Sequence, residues 1–128
     1  MDQDTDLFVQ AFWVKCREVI RPEIDATIDG LRRAGHTANV STQEFSEVAD
    51  RLPAPAGPSV TLAVHPAAAT ADAIHPTIEF HGDVRRQAVD VLSGSGRKQS
   101  YELAALGVAE VKAEIHGWLA RLAAQAPV

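Results

Sequence analysis

The chain has 128 residues and a formal net charge of −5, and 46% of its residues are hydrophobic. This length fits one domain over residues 1–128, and the composition is typical of a folded protein with its own core. An acidic chain has few cations to neutralise phosphates, so we expect no nucleic acid partner.

Cysteine content and the termini bear on the compartment. The single cysteine, Cys16, cannot form a disulfide within the chain, which favours a reducing environment. The first six residues are acidic where a secretory signal would be basic, and no apolar run reaches the ~20 residues that a membrane span needs. We therefore expect a soluble, cytoplasmic protein that does not enter membranes.

An apolar stripe marks the first third of the chain. At 100° per residue its members fall within a sector of roughly 80°, and Pro22 lies nearly opposite that sector. A proline usually ends a helix, but this stripe keeps its phase across it. The pattern predicts one long helix over about residues 5–34, bent at Pro22, with the proline on its outer face. The stripe consists of Val9, Trp13, Cys16, Ile20, Ile24, Leu31 and Ala34.

The N-terminal half of this helix carries more apolar side chains than one buried face requires. Phe8, Phe12 and Val19 form a seam beside the stripe, and Leu7 and Val14 point roughly the other way. A helix that is apolar nearly all round needs cover on more than one side. Either the domain itself provides that cover, or a second subunit does. The second alternative predicts a homodimer whose interface contains Leu7, Phe8, Phe12 and Val19.

The next segment, residues 37–58, combines several signals. Residues 37–40 have the composition of a short strand. Ser41 and Glu44 match a capping box, and the apolar residues that follow repeat at helical spacing, which predicts a helix over about 42–52. The proline-rich stretch 53–58 predicts an extended connection.

Three segments with alternating apolar residues predict strands at 59–65, 77–81 and 87–93, with a turn at Gly82-Asp83. The alternation is typical of an antiparallel sheet that is buried on one face and polar on the other. Helical spacing then predicts a C-terminal helix up to Ala124. Residues 101–105 fit either a fourth strand or the start of this helix, and the strand is favoured.

The histidines provide the one candidate site for chemistry. If the first two of these three strands form a hairpin, His65, Glu79 and His81 share its polar face, and imidazole and carboxylate are ordinary zinc ligands. The alternative interpretation is a solvated polar face without a ligand. Arg85-Arg86 could bind an anion or be plain loop residues.

No phosphate-binding loop, nucleophile elbow, zinc-binding helix motif or paired-cysteine motif occurs, so we expect no cofactor and no catalytic set. The sequence predicts an α+β domain, in which a long bent N-terminal helix and a C-terminal helix pack on one face of a three- or four-stranded, mostly antiparallel sheet.

The order helix, strands, helix resembles that of the small acidic secretion chaperones of bacteria, which dimerise and hold an effector segment. The function we expect is a non-enzymatic interaction, adaptor or chaperone-like domain, homodimeric and able to bind another protein. Two alternatives stay open. One is a carrier of a small apolar ligand in a cleft between helix and sheet, and the other is a metal-dependent enzyme that uses His65, Glu79 and His81.

Overall fold

The computed structural model describes residues 3–44, 57–65, 76–93 and 97–125. It shows an α+β fold with a long N-terminal helix, a C-terminal helix and five strands, one more than the upper number predicted. The elements are α1 (Gln3–Lys15), a π-helical turn (Cys16–Ile20), α2 (Arg21–Arg33), β1 (Thr37–Gln43), β2 (Ser59–His65), β3 (Thr77–Asp83), β4 (Ala88–Ser93), β5 (Arg97–Glu102), a 3₁₀ turn (Leu103–Ala105) and α3 (Val108–Gln125).

The five strands form one sheet in the order β1-β2-β3-β4-β5, and every neighbouring pair is antiparallel. Side chains alternate between its two faces, as the sequence pattern predicts. One face packs under the helices, and the other carries mostly polar residues. The fully buried side chains of the three central strands belong to the helix-covered face: Val60, Leu62, Ile78, Phe80, Val89 and Val91.

Two predicted boundaries are wrong at β1 and β5. Thr42 and Gln43 pair with β2 as part of β1, so the predicted helix cannot begin at residue 42; its remainder lies outside the described residues. Pairing with β2 satisfies their backbone groups better than an isolated capping box would. β5 lies upstream of the predicted 101–105, because Arg97–Glu102 pairs with β4 while Leu103–Ala105 turns towards α3.

The turn predicted at Gly82-Asp83 is also displaced. Both residues belong to β3 and pair with β4, and the turn comprises residues 84–87. Gln87 completes it with a φ of 52°, in the left-handed region that non-glycine residues rarely adopt. β3 is therefore longer than its apolar alternation indicated, and it also hydrogen-bonds to Pro58 through the Gly82 N–H (2.7 Å).

The long N-terminal helix continues through Pro22, as predicted, and Pro22 is exposed. The turn just before it is π-helical, and the Arg21 N–H bonds to the Cys16 carbonyl five residues back. A proline ring ordinarily crowds the carbonyl four residues back. A π-helical turn is wider than an α-helical turn, so it displaces the carbonyl that the proline ring would otherwise crowd. The helix therefore continues past Pro22.

The face of the helix that meets the sheet differs from the predicted stripe. Phe8 and Phe12 are 6% and 0% exposed, whereas Trp13 is only partly buried. The two phenylalanines thus belong to the core of their own chain, which corrects the expectation that a second subunit covers them. The buried positions recur every four residues: Phe8, Phe12, Cys16, Ile20, Ile24 and Ile28.

Gly82 allows α1 to approach β3 closely. A Cβ atom at this position would lie 3.2 Å from Phe8 Cε2, 3.2 Å from Phe12 Cδ2 and 3.0 Å from Pro58 Cγ. Such distances are shorter than normal van der Waals contacts, and all three neighbours are packed. The absence of a side chain at Gly82 is therefore what lets the two aromatic rings lie on the sheet.

We expect Gly82→Ala to lower the free energy of unfolding by about 1–3 kcal/mol, because the added methyl group overpacks the helix–sheet contact. Gly30→Ala is the matched control. Nothing lies within 4 Å of a Cβ at Gly30, in α2, so this change should stabilise the protein by about 0.5–1 kcal/mol. Chemical denaturation measures both. A Gly82→Ala variant as stable as the wild type would mean that the rings do not pack here.

Candidate functional site

The three predicted metal ligands lie on the same face of the sheet but do not converge. Thr61 pairs with Glu79 and Ser59 pairs with His81, so His65 lies four and six residues farther along β2. At ~3.3 Å per residue these separations are about 13 Å and 20 Å. Within the described residues no group of three or more His, Cys, Asp or Glu side chains could hold a metal ion. The predicted metal site is wrong, because the hairpin register separates its members.

Glu79 and His81 do form a pair. His81 Nδ1 lies 3.3 Å from Glu79 Oε2, and each side chain is about one-third exposed, at 31% and 33%. The hydrogen bond to Glu79 raises the pKa of His81, with the charges of Glu79, Asp90 and Asp83 adding to the effect, while partial burial opposes it. The His81 imidazole is therefore easier to protonate than an ordinary histidine side chain.

The pair borders a polar cleft of about 230 Å³ on the open face of the sheet. Ser59 lies directly opposite His81 across the β2–β3 pairing. Activation of a serine by histidine requires a hydrogen bond between hydroxyl and imidazole. In the described residues no hydrogen bond joins these two side chains, and the imidazole Nδ1 faces Glu79.

Asp90 is the centre of a second polar cluster on this face. Its side chain is 7% exposed and accepts hydrogen bonds from Arg86 Nη2 (2.9 Å) and Ser100 Oγ (2.6 Å), with Lys98 Nζ at 3.6 Å. Arg86 also lies 3.6 Å from Asp83. The anion that Arg86 binds is thus the chain's own carboxylate, and the cluster ties the 84–87 turn and β5 to β4.

Cys16 behaves as a core residue. It is 4% exposed within the main hydrophobic cluster. Burial raises the pKa of its thiol, and Arg21 opposes this only in part. A reactive cysteine requires the opposite shift together with exposure, so Cys16 acts as a small buried hydrophobe, in keeping with its place in the apolar stripe.

An open groove of about 990 Å³ lies beside α1. Apolar residues of α1 form one wall, and the 3₁₀ turn after β5 forms the other together with Arg86, Gln87 and Glu102. Its polar ends are Asp4 near the start of α1 and Lys15 with Glu18 near its end. The apolar lining residues are Leu7, Phe8, Ala11, Val14, Val19, Leu103 and Ala104.

Leu7 and Val14 are the exposed part of this groove. They are 55% and 42% exposed, and together with Ala11 they follow the i, i+4, i+7 spacing of one helix face. Of the four interface residues expected from the sequence, Leu7 lies on this surface, Val19 lines the groove half-buried, and Phe8 and Phe12 are in the core. The sequence pattern placed Val14 beside Leu7 but did not include it in the interface.

No protein-family model matches the chain, and it matches no curated protein and no solved structure. The likeness to secretion chaperones therefore stays one of element order. No helix in the described ranges is long and apolar enough to cross a membrane.

The separation of the histidines predicts that zinc binding does not depend on them. We expect a His65→Ala/His81→Ala double variant to bind zinc no differently from the wild type in calorimetry, and to change stability by less than ~1 kcal/mol. A clear fall in zinc affinity would show that the two side chains share a metal ion after all.

The Glu79–His81 pair predicts a small dependence of stability on pH. Because the folded-state pKa of His81 is raised above the unfolded value of about 6.5, the stabilisation is fully present below that pH. It is lost as pH rises through the raised folded-state pKa. We expect a contribution of about 0.5 kcal/mol or less, as for other partly exposed pairs.

Glu79→Gln should reduce this pH dependence in chemical denaturation, and Asp29→Asn, on the exposed face of α2, should not. Titration of the His81 ring by NMR gives its pKa directly. A wild-type value at or below about 6.5 would contradict the role assigned to Glu79.

Proposed function

We propose that the chain is a non-enzymatic protein-interaction domain that forms a homodimer through the groove beside α1. The observation that carries this proposal is the exposure of Leu7 and Val14 on one face of α1, next to a groove whose opposite wall combines Leu103 and Ala104 with polar residues. Large apolar side chains grouped at a groove are typical of interaction surfaces, whereas single exposed ones are not.

A second copy of the chain fits this surface because the apolar face of α1 can contact the same face of that copy. The α1 face formed by Leu7, Ala11 and Val14 is a ridge, and the groove beside it is a slot bounded by Leu103 and Ala104. A twofold dimer uses the same patch on both subunits. Each copy can thus lay its ridge against the ridge of the other, alongside the two grooves, with the side chains of the two helices interdigitating.

The size of the contact agrees with a reversible dimer. At about 25 cal/mol per Å² of apolar area, covering Leu7 and Val14 on both subunits contributes several kcal/mol. The loss of translational and rotational freedom offsets part of this gain. We therefore expect a weak, reversible dimer with a dissociation constant on the order of 100 μM, which corresponds to about −5.5 kcal/mol.

The other surfaces favour an enzyme or a carrier less. The space between the long helix and the sheet, where an apolar ligand was expected, is filled by core side chains such as Phe12, Ile20 and Phe80, each 0% exposed. On the open sheet face the charged groups pair with one another, as Asp90 does with Arg86. At the groove, Leu7 and Val14 are the part of the apolar lining that the described residues leave exposed.

Sedimentation velocity tests the proposal on the wild type and on a Leu7→Glu/Val14→Glu variant. We expect the wild type to dimerise at about 100 μM, and the variant to be monomeric and folded, since both positions are exposed helix positions where glutamate is tolerated. The matched control is Val108→Glu, which replaces a 48% exposed valine on α3 outside the groove and should leave the dimer intact.

A wild type that stays monomeric at this concentration, or a double variant that dimerises as well as the wild type, contradicts the proposal. Native mass spectrometry of protein purified without chelator addresses the alternatives in the same sample. A co-purified organic mass on a monomer would favour a carrier, and a bound metal would favour an enzyme.

A further inference from the structure

We infer that the two copies of α1 pack antiparallel about a twofold axis near Gln10 and Ala11, with Asp6 of each copy beside Arg17 of the other. This inference rests on the proposed function and specifies the orientation of its dimer. It follows from the positions of the charges on either side of the ridge.

The ridge has opposite charges at its two ends. At 100° per residue, Asp6 and Arg17 lie on one flank of the Leu7–Val14 face, and Asp4 and Lys15 lie on the other flank, along the groove. In each pair the acidic residue is near the start of α1 and the basic residue follows about three turns later. Both flanks therefore run from negative to positive along the helix.

An antiparallel arrangement brings unlike charges together. A twofold axis perpendicular to the helices makes the two copies run in opposite directions. Each flank of one helix then lies beside the same flank of the second copy, with its negative end next to the positive end of the other. With the axis midway between Leu7 and Val14, these two side chains meet across it. Asp6 then lies near Arg17 of the second copy, and Asp4 lies near Lys15.

A parallel arrangement brings like charges together. A twofold axis along the helices makes the two copies run in the same direction. Each flank of one helix then lies beside the opposite flank of the second copy, at the same height. Asp6 would then face Asp4 of the second copy, and Arg17 would face Lys15. Such repulsion selects against one orientation more effectively than surface attraction stabilises the other. The helix dipoles also favour the antiparallel arrangement.

The Asp6–Arg17 flank provides the cleaner test. Glu18 lines the groove near Lys15 and would approach Asp4 of the second copy, which weakens the groove flank. On the other flank the Arg17 side chain is 73% exposed, and its only ion pair with a described residue is a 3.9 Å contact to Glu18, itself 63% exposed. Arg17 can therefore turn towards a second copy at little cost.

Charge reversal tests the orientation by sedimentation at low salt, where surface charges are least screened. Asp6→Lys and Arg17→Glu should each weaken the homodimer about fivefold or more, since each variant makes two repulsive contacts per dimer. An equimolar mixture of the two variants should recover dimer of wild-type affinity, because every contact in the heterodimer is then between unlike charges. Circular dichroism confirms that each variant is folded.

Crosslinking with a short bis-maleimide supplies an independent readout. A cysteine at Gln10, close to the axis, should join two copies, whereas a cysteine at Gln3 should not, because antiparallel packing sends the two Gln3 positions to opposite ends. Crosslinking at both positions, or no rescue in the mixture, overturns the antiparallel arrangement while leaving the dimer. A monomeric wild type overturns the dimer itself, and this inference with it.

Discussion

The rest of the structure depends on how the long N-terminal helix, together with α3, covers one face of a five-stranded sheet. The buried positions of this helix recur every four residues from Phe8 to Ile28. In a regular α-helix that spacing drifts by about 40° per step, so the buried face would wind away from the sheet. The π-helical turn at Cys16–Ile20 advances less per residue and reduces the drift in the middle of the helix. The same turn accommodates Pro22.

This local change of helix type accounts for one error of the sequence-based prediction. The other outcomes depend on how regular the apolar pattern of each element is. The helix and its passage through Pro22 follow from apolar periodicity, and β2 is recovered with its bounds because its alternation is regular. The buried face was misassigned because a uniform 100° per residue favours Trp13 over Phe12. β5 was misplaced because Arg97–Glu102 is almost entirely polar and exposed, so its pairing leaves no hydrophobic signal.

The candidate sites also differ in how far the sequence predicts them. The Glu79–His81 pair could be predicted, since residues two apart on a strand share a face. The position of His65 could not, because it depends on the register between β2 and β3. The Asp90 cluster had no signal either: its members come from a turn and two strands, and β5 had not been placed. Each failure concerns contacts between elements, which a single sequence encodes only weakly.

The surplus apolar character of α1 then has a specific origin. With Phe8, Phe12 and Cys16 facing the sheet, Leu7 and Val14 lie on the opposite side of α1, where no described strand covers them. The amphipathic α2 has no such surplus, since Asp25, Asp29 and Gly30 are exposed away from its buried Ile24 and Ile28. The boundary between the part of the helix with surplus apolar residues and the part without them lies at the π-helical turn. The N-terminal part of the helix therefore has two apolar faces, one packed on the sheet and one exposed beside the groove.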